Sequence, residues 1–174
     1  MTVQLSTTSS LDVTDRGMPI SFTIDDVTKY HGPGYPGGVA HAFKVLERAL
    51  ALLADGGPVE RREITIATAH AGPGVRDTME LVTRAVTSDR FTVDPALART
   101  DRGILAAYVF VVGYRNRTLR LEVREGFVTD EFITLGRKVD RTDAEEAHLT
   151  ELKKEMAGRL LASAADDVYE VVAG

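Results

Sequence analysis

The sequence predicts an α+β domain: an antiparallel-rich sheet packed with helices, followed by a C-terminal helical extension. Three observations carry this. Val39, Phe43, Leu46, Leu50 and Leu53 recur at three- and four-residue spacing, the period of a helix with one apolar face. Ile64 and Ile66 alternate with Thr65 and Ala67, the period of a strand. The apolar, β-branched and aromatic run at residues 104–114 is followed by Leu119, Leu121 and Val123 alternating with Arg120, Glu122 and Arg124, which predicts an antiparallel hairpin turning at Arg115-Asn116-Arg117. The 174 residues fit one domain long enough to bury a real core.

The elements follow in order. Residues 1–17 are rich in Ser and Thr and lack the basic start and apolar centre of a signal peptide, so the expected location is cytoplasmic. Residues 18–24 read as extended. Residues 25–30 form a short helix whose acidic first turn suits the helix dipole, and they deliver His31 to the loop His31-Gly32-Pro33-Gly34-Tyr35-Pro36-Gly37-Gly38. The amphipathic helix of residues 37–54 stops at Gly56-Gly57-Pro58. A strand between residues 59 and 70 ends at His70, and Ala71-Gly72-Pro73-Gly74 is a second tight loop. Val75, Met79, Val82 and Val86 then mark a helix through about Thr87. Residues 88–103 are polar and irregular, with a turn or helix start at Asp94-Pro95. Thr129 caps a helix through about Val139, and Thr142 with Glu145 has capping-box spacing for another through about Ala164. Leu149, Leu152, Met156 and Leu160 give that helix an apolar edge, with Lys153 outside it, for packing on the domain or on a dimer partner. Residues 18–127 are thus the α+β domain, and residues 128–174 are its C-terminal helices.

Composition removes several function classes. The formal charge is −5, and Lys and Arg are scattered rather than striped, so neither nucleic acid nor an anionic membrane is an expected partner. No apolar run approaches the roughly 20 residues of a membrane span. With no cysteine there is no disulfide, thiolate nucleophile or sulfur-ligated metal, so any metal takes N and O ligands. No serine sits in a nucleophile elbow.

The two glycine loops are the candidate site. The first loop, the helix after it, the strand, the Gly74-Val75-Arg76-Asp77 start of the next helix and the hairpin resemble the FmdE-like family, named for a component of formylmethanofuran dehydrogenase. That family carries a His-Gly-His-x-Cys-Pro-Gly motif and, after a strand, Cys-x-x-Asp opening a helix. His31 falls on the first histidine, Pro36-Gly37 on the Pro-Gly and Asp77 on the aspartate. Pro33 stands in place of the second histidine, Tyr35 and Gly74 in place of the two cysteines. The resemblance covers roughly residues 20–125, and the trailing helices also look like the family's. It implies an α+β domain, often a homodimer, that commonly holds a transition metal near the His/Cys loop.

Chemically, His31, His41 and His70 each lie in or beside a glycine loop, and convergence with Asp77 or Tyr35 would make an N/O site for zinc, iron or nickel. Tyr35, Gly34 and Gly37 would then face the cofactor, and a tyrosinate at position 35 would alternatively suit haem or a ferric chelate. His70 or His31 would serve as a base on a small-molecule ligand, oriented by Asp77 or Glu80. Glycine turns entering helices also expose N–H groups to a carboxylate or phosphate, although the lysine and Ser/Thr of a P-loop are missing. The remaining reading is a non-catalytic structural homodimer. His148, on the charged last helix, reads as surface.

Overall fold

The computed structural model describes residues 9–173. Residues 1–8, part of the stretch read against a signal peptide, lie outside the described residues. The α+β fold class is the one the periodicities predict, built from two mixed sheets and six helices among the described residues. The smaller sheet pairs β1 (Ser10–Asp15) antiparallel with β2 (Met18–Thr23) and parallel with β3 (Val59–Glu60). The larger has the order β5-β4-β6-β7-β8, with β4 at Ile64–Thr68, β5 at Phe91–Val93, β6 at Val109–Tyr114, β7 at Arg117–Val123 and β8 at Tyr169–Val172.

The helices are α1 (Ile24–His31), α2 (Pro36–Leu53), α3 (Pro73–Thr83), α4 (Asp130–Arg137), α5 (Asp143–Leu161) and the single turn α6 (Ala165–Val168). No helix is long and apolar enough to cross a membrane among the described residues. The hub is α2, whose Val39, Phe43, Leu46 and Leu53 are buried while α3 and α5 pack along its flanks. Each such side chain contributes about 1.5–3 kcal/mol of apolar transfer. The capping boxes at Thr23 with Asp26 and at Thr142 with Glu145 start α1 and α5, and Thr129 caps α4 through the Phe132 N–H.

The apolar edge of α5 is used inside the chain: Leu149, Leu152, Met156 and Leu160 are buried, and the helix lies against α2. Beyond it the structure departs from the helical reading of the C-terminus. Residues 169–172 return to the sheet as β8, antiparallel to β7, with Tyr169 opposite Val123 and fully buried. At the other end, β1 is a strand that the sequence pattern does not announce; only Leu11 and Val13 of its six residues face the core, too short an alternation to stand out among Ser, Asp and Thr. The helix expected through about Thr87 stops at Thr83. Arg84 turns left-handed with φ 58°, the Glu80 carboxylate accepts from the Thr87 N–H at 2.9 Å, and the Arg90 guanidinium donates to the Thr83 carbonyl at 3.0 Å. Ile104 and Leu105 lie in a 3-10 segment before β6, and Ala106 keeps helical angles with the Tyr108 N–H donating to the Leu105 carbonyl at 3.0 Å, so the strand begins only at Val109.

Candidate functional site

The two glycine loops meet. Pro36 and Pro73 open α2 and α3 with φ already set, and neither helix has a side-chain cap, since Tyr35 and Gly72 occupy the cap positions. The first-turn N–H groups of Gly37 and Gly38 in α2, and of Gly74 and Val75 in α3, therefore lack the usual Ser, Thr or Asp acceptor. Gly38 packs on Gly74. A β-carbon at Gly74 would stand 2.7 Å from the Tyr35 carbonyl oxygen and 2.8 Å from the Val39 nitrogen, so only glycine lets the helix starts approach this closely. They bound a cavity of about 80 Å³, walled further by His41, His70 and Tyr108 and closed by Phe132 of α4 and by Lys153 and Met156 of α5.

His41 sits one turn into α2 and is fully buried. Its Nδ1 lies 2.7 Å from the Tyr169 hydroxyl. Burial drives the Tyr169 phenol well above its ordinary pKa, so the hydroxyl keeps its proton and has His41 Nδ1 as its acceptor. Donation in that direction satisfies both groups and assigns the imidazole proton to Nε2. Nε2 is buried and has no hydrogen-bond partner. Burial, with His70 a smaller contributor, holds His41 well below the usual histidine range, so the ring is neutral.

His70 follows β4, where the Thr68 hydroxyl oxygen accepts from its N–H at 3.0 Å. The Gly72 N–H donates to its Nδ1, also at 3.0 Å, which places the proton of the neutral ring on Nε2. Burial lowers its pKa to about 4. The Tyr108 ring lies between the two histidines, 4.7 Å from His41 and 4.9 Å from His70 by centroid, and burial pushes its phenol up to about 12.

His31 is placed differently. It ends α1, where Gly32 at φ 85° turns the chain away, and its Nδ1 lies 2.7 Å from the Asp77 carboxylate on α3. Its side chain is 6% exposed, and its Nε2 is buried without a partner. An Nδ1–H donated to the carboxylate leaves Nε2 as a bare lone pair. Tyr35 is half-exposed between the two places: its ring is 5.9 Å from that of His31, it borders the cavity, and the Lys153 ammonium rests 4.6 Å above its centroid.

The structure thus joins His41 with His70 around Tyr108, and His31 with Asp77, but it does not bring the three histidines to one point. Among the described residues no three His, Asp or Glu side chains group so as to hold a metal ion. His41 and His70 offer N–H donors, which does not fit ligation, whereas the free Nε2 of His31 does. A cavity of about 80 Å³ is far below the several hundred cubic ångströms of a drug-sized site and does not fit haem. Gly37 lines the cavity, while Gly34 stands out on the exposed turn. Glu80 is engaged in the turn after α3 and orients no histidine. His148 is at the surface, paired with Glu131 at 2.6 Å.

Sequence reasoning misses Tyr108, Tyr169, Lys153 and Met156 as site residues. Tyr108 lies inside an apolar run that reads as a strand, Tyr169 falls in β8, and Lys153 and Met156 carry only the helical spacing of α5. Comparison with known proteins finds no family model and no curated protein that matches the chain.

Proposed function

We propose that the chain is a small-molecule-binding protein whose ligand occupies the cavity between the starts of α2 and α3. The observation that carries this is the cavity itself, bounded by the close-packed glycine starts of α2 and α3 and walled by His70, Tyr108, Phe132 and Met156. Tyr108 supplies a flat wall between two neutral imidazoles, and Met156 closes the far side. Screening small polar compounds by thermal shift tests the reading, with Phe132→Trp narrowing the cavity from the partly exposed α4 side. A stabilising compound whose effect vanishes in that variant supports the site; effects that survive it, or none, count against it.

A second reading concerns His31, which with Pro36-Gly37 and Asp77 carries the resemblance to the FmdE-like family. Those two residues share a hydrogen bond, and a carboxylate on Nδ1 with Nε2 free is the arrangement of a metal-ligating or proton-accepting histidine. A zinc, iron or nickel ion there would draw its other ligands from water, a bound molecule or a second chain. Metal analysis of untagged protein tests it: about one equivalent, lost in His31→Ala, supports it, and metal-free wild type defeats it.

A further inference from the structure

We propose that α4 is a lid on the cavity, which opens by detaching from α5 while the rest of the fold stays intact. This rests on reading the cavity as a ligand site and adds the route into it. The deep walls belong to the core: Gly38 packs on Gly74 where α2 and α3 start, Tyr108 directly precedes the central strand β6 and is 4% exposed, and Met156 is 2% exposed on α5. The wall supplied by α4 is different. None of its eight residues is buried, and Phe132 is the one that reaches the cavity.

Helix length decides how α4 is held. Isolated helices shorter than about 12–15 residues are marginal in water, so an eight-residue helix persists here through its docking. That docking is thin. Phe132, Ile133 and Leu135 are partly buried, and the ties to α5 are surface pairs of His148 with Glu131, Lys138 with Glu145 and Arg141 with Glu146. Water screens such pairs, and they add little. Arg141 also donates to the Gly136 and Lys138 carbonyls, so the end of the helix and the loop after it move as one piece. The chain on either side is anchored separately. Val128 is buried, the Arg159 guanidinium donates to the Phe127 carbonyl at 3.3 Å, and α5 starts on its own capping box at Thr142. Segments with few buried apolar groups open at a fraction of the free energy of global unfolding, and α4 has two fixed points between which to do so. Size gives the opening a consequence. At about 10–15 Å³ per water, 80 Å³ holds roughly five to eight waters with Phe132 in place, so a larger ligand enters only when Phe132 withdraws.

The chain has no cysteine of its own, so single introduced thiols report the opening. Met156→Cys places a thiol at the cavity, and Val112→Cys places one in the fully buried part of β6. Each is labelled with DTNB, too bulky for the cavity, at urea concentrations below the unfolding transition. The Met156→Cys thiol should react at a rate nearly independent of urea, and roughly a hundredfold or more faster than the Val112→Cys thiol, whose rate should climb with urea as unfolding does. Adding Phe132→Ala should speed the Met156→Cys thiol about tenfold. Adding Leu11→Ala, in β1 of the smaller sheet, should speed the Val112→Cys thiol alone. Three results overturn the proposal: a Met156→Cys thiol as reactive as in unfolded chain, which means an open mouth; the same urea dependence for both thiols, which ties α4 to global unfolding; or no response to Phe132→Ala, which puts the entrance elsewhere. Each leaves the cavity a candidate ligand site, to be decided by the Phe132→Trp screen. Hydrogen exchange of the unmodified chain stands in if a cysteine variant does not fold. The Ile133 amide, bonded to the Thr129 carbonyl at 3.2 Å, should exchange by a urea-independent opening and the β6 amides by unfolding; matching urea dependence overturns the proposal.

Discussion

Acidification should unfold this protein through His70 before it does so through its carboxylates. Burial takes the imidazole from 6.5 to about 4. Between those values the unfolded chain binds a proton that the folded chain refuses, so stability falls as pH drops below 6.5 and the loss levels off near pH 4. At 1.36 kcal/mol per pH unit, that gap is worth roughly 3 kcal/mol. His41, fully buried and shifted the same way, adds to the loss. Against a typical total of about 5–15 kcal/mol the effect is large. Asp15 responds in a separate window: the hydrogen bond from Arg62, then that from Arg61, lowers it from 3.8 to about 2, so its contribution disappears only below about pH 4. Urea unfolding from about pH 7 to about pH 4 measures the effect, with His70→Gln as the control that cannot titrate. The variant should lose about 3 kcal/mol less than wild type across the window. Parallel losses in the two proteins would refute the assignment of His70 as a buried neutral imidazole.

Gly74→Ala should cost about 1–3 kcal/mol or more in urea unfolding, because its β-carbon meets backbone that cannot step aside. Gly136→Ala, in α4 with open space around it, should instead gain about 0.5–1 kcal/mol. The nearly buried Glu122 carboxylate faces Arg99, Arg102 and Arg120 at 3.1–3.4 Å, so Glu122→Ala should cost roughly 3 kcal/mol by leaving Arg102 and Arg120 without their carboxylate, while Arg99 keeps Asp101. Deleting residues 143–174 removes α5 from α2 and β8 from the larger sheet, and circular dichroism should show an unfolded chain; a folded truncated protein would contradict the packing described.

The helices are legible in the sequence because their signals are local. The Thr23 and Thr142 caps, the Pro-Gly starts and the spacing of Val39, Phe43, Leu46 and Leu50 need no tertiary information. The strands at the ends of the chain are not: β1 buries only Leu11 and Val13 among polar residues, and β8 has four residues whose partner β7 lies far back in the sequence. The site divides along the same line. Both glycine loops and all three histidines are visible as a composition. Which histidine meets which partner is not, because Asp77 lies 46 residues from His31 and Tyr169 lies 128 from His41. Those partners decide the outcome. A carboxylate leaves the far nitrogen of His31 bare, and a phenol donor leaves that of His41 protonated. The same residue type therefore gives one acceptor and one donor within a single pair of loops.

Imidazole nitrogen resonances at neutral pH test the central claim most directly. Neutral rings protonated on Nε2 at His41 and His70, with the His41 Nε2 signal moving on saturation by a cavity ligand, are the expected result. A proton on Nδ1 of His41, with a bare Nε2 that no cavity ligand perturbs, would contradict the account.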